Sequence, residues 1–484
     1  LALGFMSTAV WADVTAQDVW NNFETLAGAN GYHFSTAPKR VGQDVVFGDV
    51  SITFKDPTQG NALQLDFSSL RFQGNPDGTV SIVVPSQIPF SLDVPDYDAG
   101  KVRKLIGVHS LKGAEVVASG TPDAISFGYR AENMSMTTID QDPAVTPNMD
   151  LRLDMGDLRG RMDTAPNGGQ TLNAEAKSIE YVLTFKEPDN IVNMFTGGYS
   201  DVVMASTTTV PMGQVATRTS FEQGQAGSVM YSFGSGRSEI ALGDADKRTK
   251  VESTSRSGEL RMTSNKNETS FDLSSEGLDI RVEAAGLGFP VTFSGDKLKL
   301  AGAMPTLASR EPQAFSLEIA LEDVALGDQL WSMFDPTNAL SHAPMRLMLN
   351  VDGTGVQGFD LTPSQEELPK STDAGWLETL NINALGVSLL GAELTGNGRF
   401  VFDSTDTKTY DGFPKPEGKA DLRLTGLNAA LDSLIKAGLV QADQMMMPRM
   451  MLGMFTRPVG DDAFETDLQF GKNGDIRMNG QRLR

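Results

Sequence analysis

Cysteine is missing from all 484 residues, which excludes disulfide bridges and thiolate chemistry and leaves an exported form dependent on a core that needs no covalent staples. Histidine is scarce: His33, His109 and His342 are the only three, and none lies within helical or strand reach of another along the chain. A zinc or copper site of the usual nitrogen and sulfur ligands is therefore not expected, and no metal or cofactor is assigned. Positive charge is in deficit, with 40 Lys and Arg against 62 Asp and Glu and a formal net charge of −22. Such a field repels phosphate backbones and anionic headgroups, so nucleic acid is not an expected partner. Beyond the opening residues no segment approaches the roughly 20 consecutive apolar positions that a spanning helix needs. A G-x-S-x-G nucleophile elbow does not occur either.

What is present reads as a globular β-rich chain. The sequence is 40% hydrophobic, 21% charged and only 7% aromatic, and its 49 glycines point to many turns and to short strands over long helices. Length alone leaves the domain count open. The opening "LALGFMSTAVWA" carries no charge and ends in Val10-Trp11-Ala12, with small residues at the spacing a signal peptidase reads. Residues 1–12 are expected to be the remnant of a secretory signal that the sequence enters partway, with the mature chain starting near Asp13. The alternative is a buried N-terminal strand.

Period-two alternation recurs through the rest. Ile179, Tyr181, Leu183 and Phe185 alternate with Glu180, Thr184 and Lys186, and Phe315, Leu317, Ile319 and Leu321 with Ser316, Glu318 and Glu322, the pattern of half-buried antiparallel strands. Leu65 to Phe72, Leu278 to Ala284, Met345 to Val351, Leu380 to Ala384 and Phe464 to Phe470 repeat it. Asp77-Gly78 between two such runs predicts a hairpin, because that pair accepts positive φ. Short amphipathic helices are expected in "DNIVNMFTGGY", "GDQLWSMFDP" and "LNAALDSLIKAGLV", each following a strand; together they make a weak, irregular internal repeat. Thr207 to Ala303 is the most polar stretch, with short strands and no helices, and reads as an extended meander or as a long sheet open to solvent on one face. A boundary near residue 310, at "AMPTLASREPQ", gives a β-rich region over 13–310 and a second, with helices, over 311–484. The fold class expected is mainly β, with large curved antiparallel sheets and a few short amphipathic helices.

Two segments carry a resemblance. "LDFSSLRFQGNPDGTVSIVVP", and "GFPKPEGKADLRLTGLNAALDSLIKAGLV" followed by "TDLQFGKNGDIRMNGQRL", resemble the exported alphaproteobacterial proteins classed as domain of unknown function 2125. More distantly, "LGDQLWSMFDP" followed by "APMRLMLNVDG" is similar to β-rich envelope proteins of the AsmA type. The resemblance implies a periplasmic location and, for the AsmA type, handling of lipid or outer-membrane biogenesis. It supplies no catalytic residue.

Chemistry-bearing motifs are sparse. Ser433-x-x-Lys436 matches the S-x-x-K of penicillin-binding enzymes without its S-D-N and K-T-G companions, and an amphipathic helix produces it readily. Asp93, Asp96 and Asp98 with Gly100 approximate a calcium loop but lack its spacing and distal Glu; solvated turn carboxylates explain them. Asp150, Asp154, Asp157 and Asp163 alternate with three arginines, as on the water-facing side of a hairpin. No pair of carboxylates is nominated for glycoside hydrolysis.

The remaining feature is "QADQMMMPRMMLGMF", residues 441–455, with Met445, Met446, Met447, Met450, Met451 and Met454. Three readings compete: soft core, a pliable surface for lipid or partner, and a thioether copper site. Pro448 is expected to kink or restart the helix. The function expected is that of a non-enzymatic periplasmic envelope protein that binds or passes a lipid or other amphiphile along an apolar sheet face. Met446, Met450, Met454, Phe455, Trp331 and Phe334 are the candidate lid or groove residues. The alternatives are a structural or interaction module that meets other envelope proteins, and a hydrolase with a carboxylate or Ser-Lys site.

Overall fold

The computed structural model describes residues 14–29, 31–55, 62–96, 101–139, 149–186, 192–209, 217–244, 247–361 and 375–483. The signal-sequence expectation and Asp98 with Gly100 of the acidic loop fall outside these. Among the described residues 63% are strand and 11% helix, and the protein is mainly β with antiparallel pairing, as the alternation requires. The five helices are α1 (Ala16–Ala29), α2 (Arg218–Glu222), α3 (Asp328–Phe334), α4 (Leu427–Lys436) and α5 (Met446–Phe455). The chain divides into two compact units, one drawn from Leu1–Val215 with Gln225–Arg248, the other from Ala216–Gly224 with Thr249–Arg484.

The first unit has a conventional core at its N-terminal end. Thr15 and Asp18 cap α1 reciprocally, the Asp18 carboxylate accepting from the Thr15 N–H at 3.0 Å and the Thr15 hydroxyl from the Asp18 N–H at 3.2 Å. That closes two of the donors a helix start leaves open. Val19 and Trp20 are fully buried, and the indole meets Phe47 at 4.8 Å and Phe34 at 5.0 Å between ring centroids. Each such side chain contributes about 1.5–3 kcal/mol on leaving water. Val45, Phe72, Val80, Ile125 and Phe127 complete the cluster. Sequence reading did not anticipate α1, although Val19, Trp20 and Phe23 have helical spacing.

One predicted helix is a strand. "DNIVNMFTGGY" enters Val192–Thr208, which pairs with Gln170–Lys186 through Leu183 opposite Phe195 and Tyr181 opposite Gly197. Gly197 and Gly198 weaken a helix by roughly 1 kcal/mol each, whereas in the sheet they make room for larger neighbours. A Cβ at 197 would meet the Tyr181 hydroxyl and one at 198 the Glu180 carboxylate, both at 2.5 Å. The run Leu65 to Phe72 is likewise two strands, Ala62–Phe67 and Leu70–Gly74, parted at Ser68-Ser69. The Asp77-Gly78 hairpin forms as expected, with Gly78 at φ 79° and the Asn75 N–H donating to the Thr79 carbonyl at 2.8 Å.

In the second unit antiparallel strands succeed one another from Thr249 to Phe470, with the α3 and the α4–α5 segments as excursions. The polar stretch does contain a helix, α2, with Thr217 as N-cap. Its Arg218 bonds the Asp360 carboxylate and donates to the Ala308 carbonyl at 3.1 Å. These ties, with Leu307 and Thr306 buried, fix the connection between Val291–Met304 and Gln313–Leu326.

The alternation is interrupted along a line in each unit. Asp157 and Asp201 (φ 48° each) and, in the second unit, Gly277 (φ 58°) and Asp323 (φ 52°) sit in left-handed conformation inside long strands. Apolar positions change parity there, from Leu317, Ile319 and Leu321 to Val324 and Leu326. A left-handed residue inverts the alternation as a bulge does, and so spares the strand from turning its apolar side outward.

Candidate apolar binding face

The long strands of the second unit align their apolar residues across the sheet. Leu260, Leu273, Leu300, Ile319, Leu349, Leu385, Gly396 and Leu422 stand opposite one another on successive strands. Two positions along each strand, give or take a bulge, run Met262, Phe271, Gly302, Leu317, Val351, Ile382, Gly398, Ala420 and Leu468. On the other side of the first row run Leu298, Leu321, Leu347, Val387, Leu394, Leu424 and Phe464. Within these rows only Ala420 is buried; the rest are half-exposed or exposed, Leu273 at 40%. The buried apolar cluster of the described residues lies in the first unit and includes none of them. An apolar face of this extent that finds no second layer among the described residues is the usual mark of a surface that meets something else.

The opposite face is ionic. Lys299 reaches Glu318 at 2.7 Å and Asp272 at 3.9 Å, Arg423 reaches Glu465 at 2.9 Å, and Lys419 reaches Asp421 at 3.2 Å. The Glu318 carboxylate holds the Lys299 ammonium above its ordinary value. Exposed pairs like these add little stability, and what they establish is that the charged side chains are sorted onto one side of the sheet.

The first unit repeats the arrangement. Ile88, His109, Met136, Leu153, Tyr181, Gly197 and Ser238 form one cross-strand row, and Leu111, Met134, Met155, Ile179, Tyr199 and Gly236 the next. His109 is half-buried against Phe90 at 5.0 Å, and burial holds its imidazole below the ordinary value. Tyr199 stacks on Tyr181 at 6.3 Å and packs on Phe233 at 4.8 Å, with Tyr231 beside Phe233 at 6.2 Å. Burial pushes the Tyr181 and Tyr231 hydroxyls up, and the neighbouring Tyr199 adds to it. A hollow of about 750 Å³ on the ionic side follows the line of left-handed residues and is bordered by Arg130, Glu115, Arg159 and Glu175. Its arginines are already paired, Arg159 with Glu175 at 2.7 Å and Arg130 with Glu115 at 2.6 Å.

The residues singled out from sequence are distributed as follows. Trp331 of α3 is buried and stacked on His342 at 4.1 Å, with Phe334 at 5.3 Å. Beneath it the Asp335 carboxylate accepts from the Ala339 and Leu340 N–H groups at 2.8 Å each and from the His342 ring at 3.2 Å. Burial acts to raise the Asp335 carboxyl, yet those donors outweigh it and hold the group below its ordinary value. The arrangement fastens the turn after α3 and leaves Trp331 part of local packing.

Helix α5 behaves differently. Pro448 falls in its first turn, where an N–H is dispensable, so the helix begins at Met446 and runs through the proline, where the sequence predicts a kink or restart. Met445, Arg449, Leu452 and Phe455 form its half-buried side, and Arg449 is paired with Asp432 of α4. Met446, Met447, Met450, Met451 and Met454 form the other side, each at least 50% exposed. The cluster is therefore not soft core; among the described residues no group of three or more His, Asp or Glu could hold a metal ion. Ser433 donates its hydroxyl to the Ala430 carbonyl at 2.7 Å within α4. Asp93 is paired with Lys104 at 4.0 Å, while Arg152 with Asp154 and Arg161 with Asp163 pair along one strand at 2.6 and 2.7 Å.

No described helix is long and apolar enough to cross a membrane. Residues 164–476 match the model of a family described as an uncharacterized protein conserved in bacteria, DUF2125. The match takes in the apolar rows of the second unit and the C-terminal segments that carried the resemblance as far as Ile476, and begins after "LDFSSLRFQGNPDGTVSIVVP". No curated protein and no solved structure matches the chain, so the AsmA likeness gains no support.

Proposed function

We propose that this chain, which belongs to the DUF2125 family, is a non-enzymatic protein of the bacterial periplasm that binds or passes a lipid or other amphiphile along the apolar faces of its sheets. The observation that carries the reading is the set of apolar rows from Leu260 to Leu422, aligned across the sheet and left half-exposed. Burying apolar surface is worth about 25 cal/mol per Å², so a sheet that leaves such rows to water forgoes stability that an acyl chain laid along them restores. Location in the envelope rests on the uncharged opening of the sequence. The test is to purify the protein from its native envelope and identify co-extracted lipid by mass spectrometry. A stoichiometric amphiphile supports the reading, and a ligand-free protein that takes up no hydrophobic probe ends it.

One observation favours a second reading, an interaction module of the envelope: the five outward methionines of α5, a residue type suited to surfaces that accept varied partners. Replacing Met450 and Met454 by Glu would then abolish capture of a reproducible envelope partner while leaving probe uptake unchanged.

A further inference from the structure

We infer that Tyr181, Tyr199 and Tyr231 form a docking point for the uncharged, hydrogen-bonding head group of an amphiphile whose chain lies on the apolar face of the first unit. The inference rests on the reading above and names the ligand chemistry within it.

Aromatic rings with a hydroxyl serve where an apolar body must end in a polar contact. Here three of them gather on one apolar face: Tyr181 and Tyr199 stack at 6.3 Å, and Phe233 bridges Tyr199 to Tyr231 at 4.8 and 6.2 Å. The gathering is built by the backbone. Gly197 stands opposite Tyr181 and Gly236 opposite Tyr199, and a side chain at 197 would collide with the Tyr181 hydroxyl. Along the same two rows Leu153, Met155 and Ile179 continue the apolar surface, a bed for a hydrocarbon chain leading away from the hydroxyls.

The charge on this face selects the head group. Arg152, Asp154, Glu180 and Arg237 alternate onto the opposite side, where Arg237 pairs with Glu180 and Arg152 with Asp154. Among the described residues of these rows the one titratable nitrogen is that of His109, whose imidazole burial holds below its ordinary value and so disfavours in its charged form. A carboxylate or phosphate head would find no counter-charge and would lose its hydration without compensation. An ester, amide or glycerol head finds the Tyr231 hydroxyl and the mutually hydrogen-bonded hydroxyls of Tyr181 and Tyr199, which between them keep one proton to donate and lone pairs to accept.

The experiment is displacement of the neutral fluorophore N-phenyl-1-naphthylamine from the full chain by monoolein and by oleate, chains of equal length with different heads. Monoolein should displace the fluorophore at a lower concentration than oleate at pH 7.5. Tyr181→Phe and Tyr199→Phe keep the rings and remove one hydroxyl each; each should weaken monoolein about fivefold, the usual consequence of one lost hydrogen bond, and weaken oleate less. Equal displacement by the two lipids, or Phe variants that bind monoolein as the parent does, would overturn the inference while leaving the apolar-face reading intact. No fluorophore uptake at all would overturn both.

Discussion

Phe315 lies over Gly353, its direct partner on the neighbouring strand, so that a Cβ at 353 would meet the phenyl ring at 2.9 Å and the Thr379 carbonyl closer still. The relation recurs in Phe90 with Gly107, Tyr129 with Gly160, Tyr181 with Gly197 and Phe271 with Gly302. An aromatic ring spread over a cross-strand glycine shields backbone and fixes register. In a protein with half-exposed apolar rows, this replaces part of what a second layer would do. Gly353→Ala should therefore destabilise by about 1–3 kcal/mol, the usual cost of overpacking. Gly128→Ala, in a strand where a Cβ has nothing nearer than 3.9 Å, should be neutral or stabilising. Urea unfolding midpoints of the two variants decide the matter.

The left-handed aspartates predict an inverted tolerance. Asp323 at φ 52° lies mid-strand, where most side chains cost roughly 1–2 kcal/mol in that conformation. Asp323→Gly should be tolerated or stabilising in thermal unfolding, and Asp323→Val should lower the midpoint more than any regular strand position to which valine is introduced.

His109 supplies a pH dependence with a definite sign. Its folded value is lowered from 6.5 by burial, so the unfolded chain takes up the proton first. Stability is then complete above pH 6.5, declines as pH falls from there through the folded value, and changes no further below it. Its row and ring neighbours Ile88, Met136 and Phe90 carry no charge. The carboxylates held low act below their ordinary values, 3.8 for Asp44 beside Arg71 and for Asp335 and 4.5 for Glu115 beside Arg130 and for Glu252 beside Lys250, and leave the interval between pH 7.5 and 5.5 clear. Unfolding of the parent and of His109→Leu at pH 7.5 and 5.5 should show the loss in the parent alone.

The methionines of α5 should behave as surface. Met450→Gln and Met454→Gln are expected to shift stability by no more than about 0.5 kcal/mol, as exposed substitutions do, where core methionines would cost 2–5 kcal/mol. Mild peroxide should oxidise these residues, seen by peptide mass spectrometry, with the circular dichroism spectrum retained.

Strand content, the Asp77-Gly78 hairpin and the amphipathic pattern of Ile179 to Phe185 and of Phe315 to Leu321 were all legible in sequence, because period-two alternation is a local property. The helix expected in "DNIVNMFTGGY" was not: Val192 and Phe195 fit a helical spacing as well as a strand, and only pairing with Leu183 and Tyr181 decides between them. The parity change at Asp201 and Asp323 hid the length of the strands, since a reader of alternation stops where it inverts. The apolar rows are a tertiary fact. Leu260 and Leu422 belong to one line only once the intervening strands have been laid in register. The burial of Trp331 was likewise invisible until His342 and Asp335 were seen folded back beneath α3.

The most direct test of the central claim is uptake of N-phenyl-1-naphthylamine by the parent chain and by Ile319→Glu and Leu349→Glu, two facing positions in the middle of the apolar rows. The account predicts saturable uptake by the parent and loss of at least most of it in both variants. Because both residues are half-exposed, the thermal unfolding midpoint should change little. Uptake unaltered by the glutamates, or variants that unfold as if a packed core had been breached, would contradict it.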